Sequence, residues 1–357
     1  MSSLKKISDR IASVQATRQI TSSMKMVAVS RLKKKHEAFL KTVPFADEIN
    51  RVVRRLVRSV KMRQTENAGI RLPLFFEGNG KEQHYMVVVI TSDEGLSGQA
   101  SLQVVQKAKE VIDYLTEQNK DIQIFCYGTQ GADILKRFYP QKEILVFKQK
   151  IAEKYDDYKH AEKFAYRVIR AFQQERFDVC LTVYNQFKSV VFQKPVVEQM
   201  VPAQIYLREN PWDFLSDKKE RDYHKKDAFG EKKVTLKKSS FLTAIGGVEM
   251  LPSLDKVIFK TDMNSGKRLP YLYDYEPADL ELLNQLLFPY LTAYIYRILL
   301  ESQVSDNASR LMAMDNATRN AGDMLERLQK EYRRSRQSRI TTDIAEVSGG
   351  QVQEAFV

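Results

Sequence analysis

The stretch best placed to do chemistry is VVVITSDEGLSGQ, from Val87 to Gln99. A strand that runs through a glycine-bearing turn into a helix has the outline of a phosphate-binding loop, because the amides of a helix N-terminus attract anions. The glycine spacing is wrong for it. Neither GxGxxG nor GxxxxGK[ST] is present. Asp93 and Glu94 would also repel a phosphate. Gly95 and Gly98 therefore read as residues that give the turn its backbone freedom, and YGTQG (127–131) reads as a second turn of the same kind. The paired acids Asp156 and Asp157 fall at an exposed helix start. Cys126 and Cys180 lie in apolar, strand-like runs and read as reduced packing residues. His36, His84, His160 and His224 are far apart, and no metal-ligand spacing occurs. No order of Ser, His and Asp suggests an activated nucleophile. The expectation is a protein with no catalytic residues, no metal and no cofactor of its own.

Between residues 84 and 206 the pattern is that of alternating strands and helices. HYMVVVI (84–90) is a compact β-branched run that reads as a buried strand. A helix is expected over 100–118, a strand over 121–128, a helix over 130–138 and a strand over 143–147. A helix over 157–175 and a strand over 177–187 follow. Such alternation predicts an α/β layer structure with at least partly parallel strands. Residues 64–83 carry the Gly, Pro and Asn of a loop.

The two ends of the chain are different. Residues 3–60 contain no glycine and one proline, Pro44. Leu4, Ile7, Ile11, Val14, Met24, Ala28 and Leu32, then Ile49, Val53, Leu56 and Val60, recur at helical spacing. Ser2 or Ser3 could cap the helix, and Pro44 should kink or briefly break it. A continuous helix of this length would be about 85 Å long, too long to be buried in one core, so it needs a partner helix or an outer sleeve. A second long helix is expected over 277–346. Within it Leu311, Met314, Thr318, Ala321, Leu325, Leu328 and Tyr332 alternate three and four apart, a heptad seam. Two long terminal helices flanking one domain most simply form an antiparallel coiled coil. The expected fold is therefore α/β: a coiled coil of N- and C-terminal helices plus a central Rossmann-like α/β domain.

Charge follows the same division. The 357-residue chain has a formal net charge of +12. Residues 1–63 hold sixteen Lys/Arg against four Asp/Glu, an excess equal to that of the whole chain. Such a segment suits an acidic or polar sleeve, and nucleic acid is the rival partner. No recognised nucleic-acid module accompanies it, and the basic residues fall on several helix faces. The expected units are a shaft helix (1–63), a loop (64–83), the α/β domain (84–206), an insertion (207–270) and a second shaft helix with tail (271–357). The insertion carries paired lysines at 218–219, 225–226, 232–233 and 237–238. It reads as a partly flexible, solvated appendage, with a strand pair expected around Gly246-Gly247.

Several motifs carry a family resemblance. ISDRIASVQATRQITSSMKMVA (7–28) resembles the opening signature of ATP synthase gamma subunits. LLESQVSDNASRLMAMDNATRNA (299–321) and YRRSRQSRITTDIAEV (332–347) resemble the closing one. TSDEGLSG (91–98) is similar to the family's TSDRGLCG turn. VYNQFKS (183–189), with Pro195, Gln199 and Pro202, is similar to the end of its α/β domain, and Tyr273-Tyr275-Glu276-Pro277 to its re-entry into the last helix.

The resemblance implies a non-catalytic rotor. Its helices would stand inside a ring of three alpha and three beta subunits, with the globular domain on the membrane c-ring beside epsilon. It implies partner contacts at Met24 and Lys25, where the shaft passes the moving lobes of the beta subunits. Arg310 would be coupled to that stretch, and Arg336, Gln337 and Thr341 would meet the beta catch loops. It implies a peripheral place on a membrane, and the absence of an obvious organelle presequence favours the cytoplasmic face of a bacterial plasma membrane over the mitochondrial inner membrane. Glu94 and Ser97 stand where the family usually has Arg and Cys. The 207–270 segment is longer than the usual connection, and it lacks the cysteine pair of thiol-regulated chloroplast forms.

Overall fold

The computed structural model describes residues 3–66, 71–147, 157–203 and 278–354. The lysine-rich insertion, its expected strand pair and the Tyr273–Pro277 motif lie outside them. The elements in chain order are α1 (Ser3–Glu66), α2 (Leu74–Glu77), β1 (His84–Ile90), α3 (Ala100–Glu117), β2 (Asp121–Tyr127), α4 (Thr129–Phe138) and β3 (Ile144–Phe147). After these come α5 (Asp157–Gln173), β4 (Val179–Phe187), β5 (Gln193–Val201) and α6 (Asp279–Glu354). The chain divides into two compact units, and the division falls inside both long helices. One unit holds residues 34–95 and 99–306, the other residues 1–33, 96–98 and 307–357.

The first unit is built on a five-stranded sheet of order β3-β2-β1-β4-β5. β3, β2, β1 and β4 are parallel, and β5 returns antiparallel to β4. β1 is central and apolar on both faces, and Tyr85 to Ile90 are all buried, as a parallel strand covered on both sides must be. Its side chains alternate between two cores. Tyr85, Val87 and Val89 point to the layer of α3 and α4, where Val104, Val105, Val111, Ile112, Leu115 and Leu135 are buried. Met86, Val88 and Ile90 point to the other layer. There α5 supplies Phe164 and Val168, α1 supplies Val53, Leu56, Val57 and Val60, and α6 supplies Leu283, Leu291, Ile295, Ile298 and Leu299. Each such fully buried aliphatic side chain stabilises by about 1.5–3 kcal/mol. The long helices are thus anchored as part of the second layer of the α/β sandwich.

Three features differ from the sequence expectations. α1 runs unbroken through Pro44. Proline removes one amide donor and costs about 3 kcal/mol inside a helix. Here Thr42, Val43 and Ala46 are buried around it, so packing on both sides of the proline holds the helix together. β5 is a full strand with no counterpart among the expected elements. Its sequence, QKPVVEQMV, lacks clean alternation and carries Pro195, which an edge strand tolerates. The expected loop over 64–83 contains the single turn α2, whose Phe75 and Phe76 are buried in the second layer.

The second unit contains the N-terminal half of α1 and the C-terminal half of α6. Lys25 pairs with Asp315, Thr21 with Thr318, and Arg18 faces Gly322. Numbers fall on one helix as they rise on the other, so the two run antiparallel. On α6 the seam is Leu311, Met314, Ala321, Leu325 and Leu328, all buried, with Thr318 half-buried between them. On α1, Leu4, Ile7, Ile11 and Val14 are half-buried, and Ala28 and Leu32 are buried.

Candidate functional surface on the helix pair

Between Val14 and Ala28 the α1 seam continues in polar residues. Steps of four and three lead from Val14 through Arg18, Thr21 and Lys25 to Ala28. Met24, expected in the apolar stripe, is instead 40 % exposed. The heptad count explains this: position 25, not 24, is the one that faces α6. Opposite this polar stretch lie Asp315, Thr318 and Gly322. Lys25 Nζ is 2.7 Å from Asp315 Oδ1. Arg319 Nη2 reaches Asp315 Oδ2 at 2.8 Å as an ion pair outside hydrogen-bond geometry. The Thr318 hydroxyl bonds to the Thr21 hydroxyl at 2.9 Å and to the Met314 carbonyl at 2.7 Å. A Cβ on Gly322 would lie 3.9 Å from the Arg18 guanidinium, at ordinary van der Waals distance. The spacing of this inlay was present in the sequence, but its residue types hid it.

The inlay turns apolar residues outward. Ile20, Met24 and Val27, at i, i+4 and i+7, share one helix face and are 56 %, 40 % and 51 % exposed. Met26 is exposed on another flank of the helix, and on α6 Met324, Ile340 and Ile344 are exposed as well. Exposed apolar side chains in a row mark a surface that meets something.

The expected contact residues divide into two groups. Met24, Arg336, Gln337 and Thr341 are exposed. The Thr341 hydroxyl donates to the Gln337 carbonyl one turn back at 2.9 Å. Lys25 is half-buried with its charge directed to Asp315. Arg310 is buried, and its Nη1 donates to Asn307 Oδ1 at 3.1 Å. No interaction among the described residues brings the Met24–Lys25 group together with the Arg336–Thr341 group.

The turn that resembled a phosphate loop turns its side chains to the start of α4. The α4 N-terminus donates Thr129 N–H to Asp93 Oδ1 at 2.7 Å and Gly131 N–H to Thr91 Oγ1 at 2.9 Å. Gln130 N–H goes to the Ser92 carbonyl at 3.2 Å. The first amides of α4 are therefore satisfied by the turn that follows β1. Gly128, at φ 104°, is packed so closely on the Thr91 carbonyl that no side chain fits. Both cysteines are buried and free. Burial, opposed by Lys136, pushes the Cys126 thiol up to about 12, and burial pushes Cys180 up as well, so neither is a ready nucleophile. Among the described residues there is no cluster of metal-binding side chains and no helix long and apolar enough to cross a membrane.

Comparison with known proteins agrees with this architecture. The ATP synthase family pattern (ATP-synt) matches residues 3–352. The ATP synthase gamma chain of Pelagibacter ubique is 31% identical, with 98% of this chain and 99% of that one covered. The gamma chains of Azorhizobium caulinodans and Jannaschia sp. are 30% and 32% identical at the same coverage. Among solved structures, a chain from the central stalk and c-ring of the Tetrahymena thermophila mitochondrial ATP synthase aligns with TM-score 0.51 and 19% identity. It covers 84% of this chain and 99% of that one. A chain of the Euglena gracilis mitochondrial enzyme, from the assembly of OSCP, F1 and c-ring, gives 0.52 and 13%, covering 98% and 93%. These structural likenesses bear on the fold. The nucleic-acid reading finds no support among these relatives.

Proposed function

The chain belongs to the ATP synthase gamma family, and from that premise we propose that it works through the outward face of its helix pair. It is the central-stalk subunit of the complex, itself non-catalytic, and it transmits rotation between the c-ring and the alpha-beta ring. Its partners are the alpha, beta and epsilon subunits and the c-ring. It is a peripheral part of a membrane complex, and its bacterial relatives support a place at the cytoplasmic face of a plasma membrane.

The observation that carries the proposed working face is the row Ile20, Met24, Val27 beside a polar seam. A shaft can bias three identical neighbours differently only if its faces differ, because a ligand shifts an equilibrium by no more than its differential contact energy. An apolar face on one side of a highly basic helix supplies such a difference. Met24 is the centre of that face, and Lys25 supports it from within the seam. Arg336, Gln337 and Thr341 form a second exposed set on α6, where Arg336 suits a charge-assisted bond to a beta carboxylate. Arg310, being buried, acts on partners through the helix around it.

Co-purification tests the assignment. A tagged chain expressed with its alpha, beta and epsilon subunits should recover all three. Recovery of the tagged chain alone would overturn the central-stalk reading.

A further inference from the structure

Where α6 lies on the sheet, five polar side chains are set into an otherwise apolar contact. Tyr294, Arg297 and Glu301 come from one face of α6, Tyr184 from β4 and Glu198 from β5. The Tyr184 hydroxyl donates to Glu198 Oε1 at 2.8 Å, and the Tyr294 hydroxyl donates to Glu198 Oε2 at 2.8 Å. Arg297 lies between the carboxylates, with Nη2 3.3 Å from Glu198 Oε2 and Nη1 3.7 Å from Glu301 Oε2. Tyr184 also reaches Glu301 Oε2 at 3.5 Å. One turn further along α6, the Ser305 hydroxyl donates to the Asn185 carbonyl of β4 at 2.9 Å.

The cluster holds two carboxylates and one guanidinium. Burial disfavours the ionised form of an acid. Glu198 accepts both tyrosine hydroxyls and the nearer arm of Arg297. Glu301 is the deeper acid, its side chain 3 % exposed. Burial, opposed by Arg297 and reinforced by Glu198, pushes its carboxyl up to about 7. Burial and Glu198 also hold Tyr184 and Tyr294 well above the usual phenol range, so both remain donors. The other groups facing Glu301 are the Phe187 backbone, which hydrogen-bonds to it, and the Lys188 ammonium in the turn after β4. From α1, on the same side of the sheet, His36 meets the Phe187 ring edge-on at 5.6 Å. Burial keeps that imidazole below its ordinary range.

We propose that Arg297 is a positioning residue for torque transfer: held between Glu198 and Glu301, it fixes the setting of α6 on the sheet. The proposal rests on the central-stalk reading, in which load must pass between the α/β layers and the long helices. Apolar contact resists separation but is non-directional, so an apolar helix face alone can creep or turn against the sheet. A charge-assisted hydrogen bond to Glu198 together with the close approach to Glu301 defines one geometry. The sign of the pH dependence follows from Glu301. Its carboxyl sits above its ordinary value in the folded protein, so the stabilisation is complete below the usual carboxylate range and is lost as pH rises through about 7.

Hydrogen exchange over residues 290–304 of the assembled complex, corrected for intrinsic rates, reads the joint directly. Between pH 6 and pH 8 the wild-type protection should fall by about tenfold. Glu301→Gln keeps the hydrogen bonds without the titration, so its protection should be flat across the same range. Arg297→Met should lose protection at both pH values and pump fewer protons per ATP hydrolysed, and Arg297→Lys should restore part of both. A wild type without a pH slope, or a Glu301→Gln protein that keeps one, overturns the proposal. If Arg297→Met does not fold, the Glu301→Gln comparison still decides. If the wild-type chain does not enter the complex, the central-stalk reading fails, and the same exchange experiment on the free full-length chain still tests the joint.

Discussion

Lys25 Nζ stands 2.7 Å from Asp315 Oδ1, joining the first and last helices inside their seam. The Asp315 side chain is 6 % exposed and the Lys25 side chain 23 %. Removing one member of a pair this deep leaves the other charge poorly solvated, whereas replacing both by apolar groups need not destabilise. Lys25→Met should therefore weaken the helix pair by about 2 kcal/mol, with Arg319 limiting the loss. Asp315→Leu should cost less, about 1 kcal/mol, because the lysine stem lets its ammonium reach water. The Lys25→Met/Asp315→Leu double variant should recover most of the loss. Urea titration followed by helical circular dichroism measures all three. A double variant no better than Lys25→Met would mean the pair is not the coupling between these positions.

The outward row Ile20, Met24 and Val27 makes the opposite prediction, a loss of binding without a loss of stability. These side chains are about half exposed, and exposed substitutions usually change stability by about 0.5 kcal/mol or less. Replacing all three by Ser should leave the urea midpoint of the free chain unchanged. Affinity for the alpha-beta ring should drop about tenfold or more, since buried apolar anchors at an interface are each worth about 1 kcal/mol or above. Titration of labelled chain into alpha-beta complex reads this, and unchanged affinity would remove the row from the working surface.

Much of this architecture was legible in the sequence, and the gaps have physical causes. β1, β2 and α3 fall within a residue of the expected spans, because β-branched runs bounded by turn residues leave little choice. The α6 seam was legible since Leu311, Met314, Ala321, Leu325 and Leu328 are apolar. The matching α1 seam was misread at Met24, because the facing positions there are Arg18, Thr21 and Lys25, and only their spacing marks them as a seam. The joint at Arg297 was invisible in the sequence. It depends on Glu198, which lies in the unforeseen strand β5, and no local pattern links residues 99 apart. The close packing of Thr91 against Gly128 is likewise a tertiary fact, although both turns were recognisable.

Asp178 sets an acid limit on the sheet. Its side chain is 3 % exposed and accepts from Gln83 N–H at 3.0 Å, His84 N–H at 2.9 Å and Asn79 Nδ2 at 2.5 Å. Burial works against the charge, but these hydrogen bonds and the His84 ring outweigh it and hold the carboxyl down to about 2. A carboxyl depressed on folding stabilises above its ordinary range near 3.8, and that contribution is lost as pH falls toward 2. Asp178→Asn should cost about 1–2 kcal/mol at pH 7 and less at pH 3. Thermal unfolding at both pH values measures the difference. An equal loss at pH 7 and pH 3 would show that the charge is not what the site requires.

Two glycines at the start of α4 should respond differently to the same change. A Cβ on Gly131 would lie 2.6 Å from Thr91 Oγ1 and 2.8 Å from its Cγ2, atoms of a side chain. A Cβ on Gly128 would meet the Thr91 carbonyl, part of the backbone, and φ there is 104°. Alanine is otherwise better than glycine in a helix by about 1 kcal/mol. Gly131→Ala should therefore lose about 1–3 kcal/mol through overpacking. Thr91→Ala alone should lose about 1 kcal/mol with the bond to Gly131 N–H. Combined, the two changes should cost less than their sum, because removing the threonine side chain makes room for the new methyl. Gly128→Ala should not be rescued by Thr91→Ala, since backbone cannot be trimmed. Double-mutant cycles in urea distinguish the cases, and a rescue of Gly128→Ala as complete as that of Gly131→Ala would refute the backbone clash.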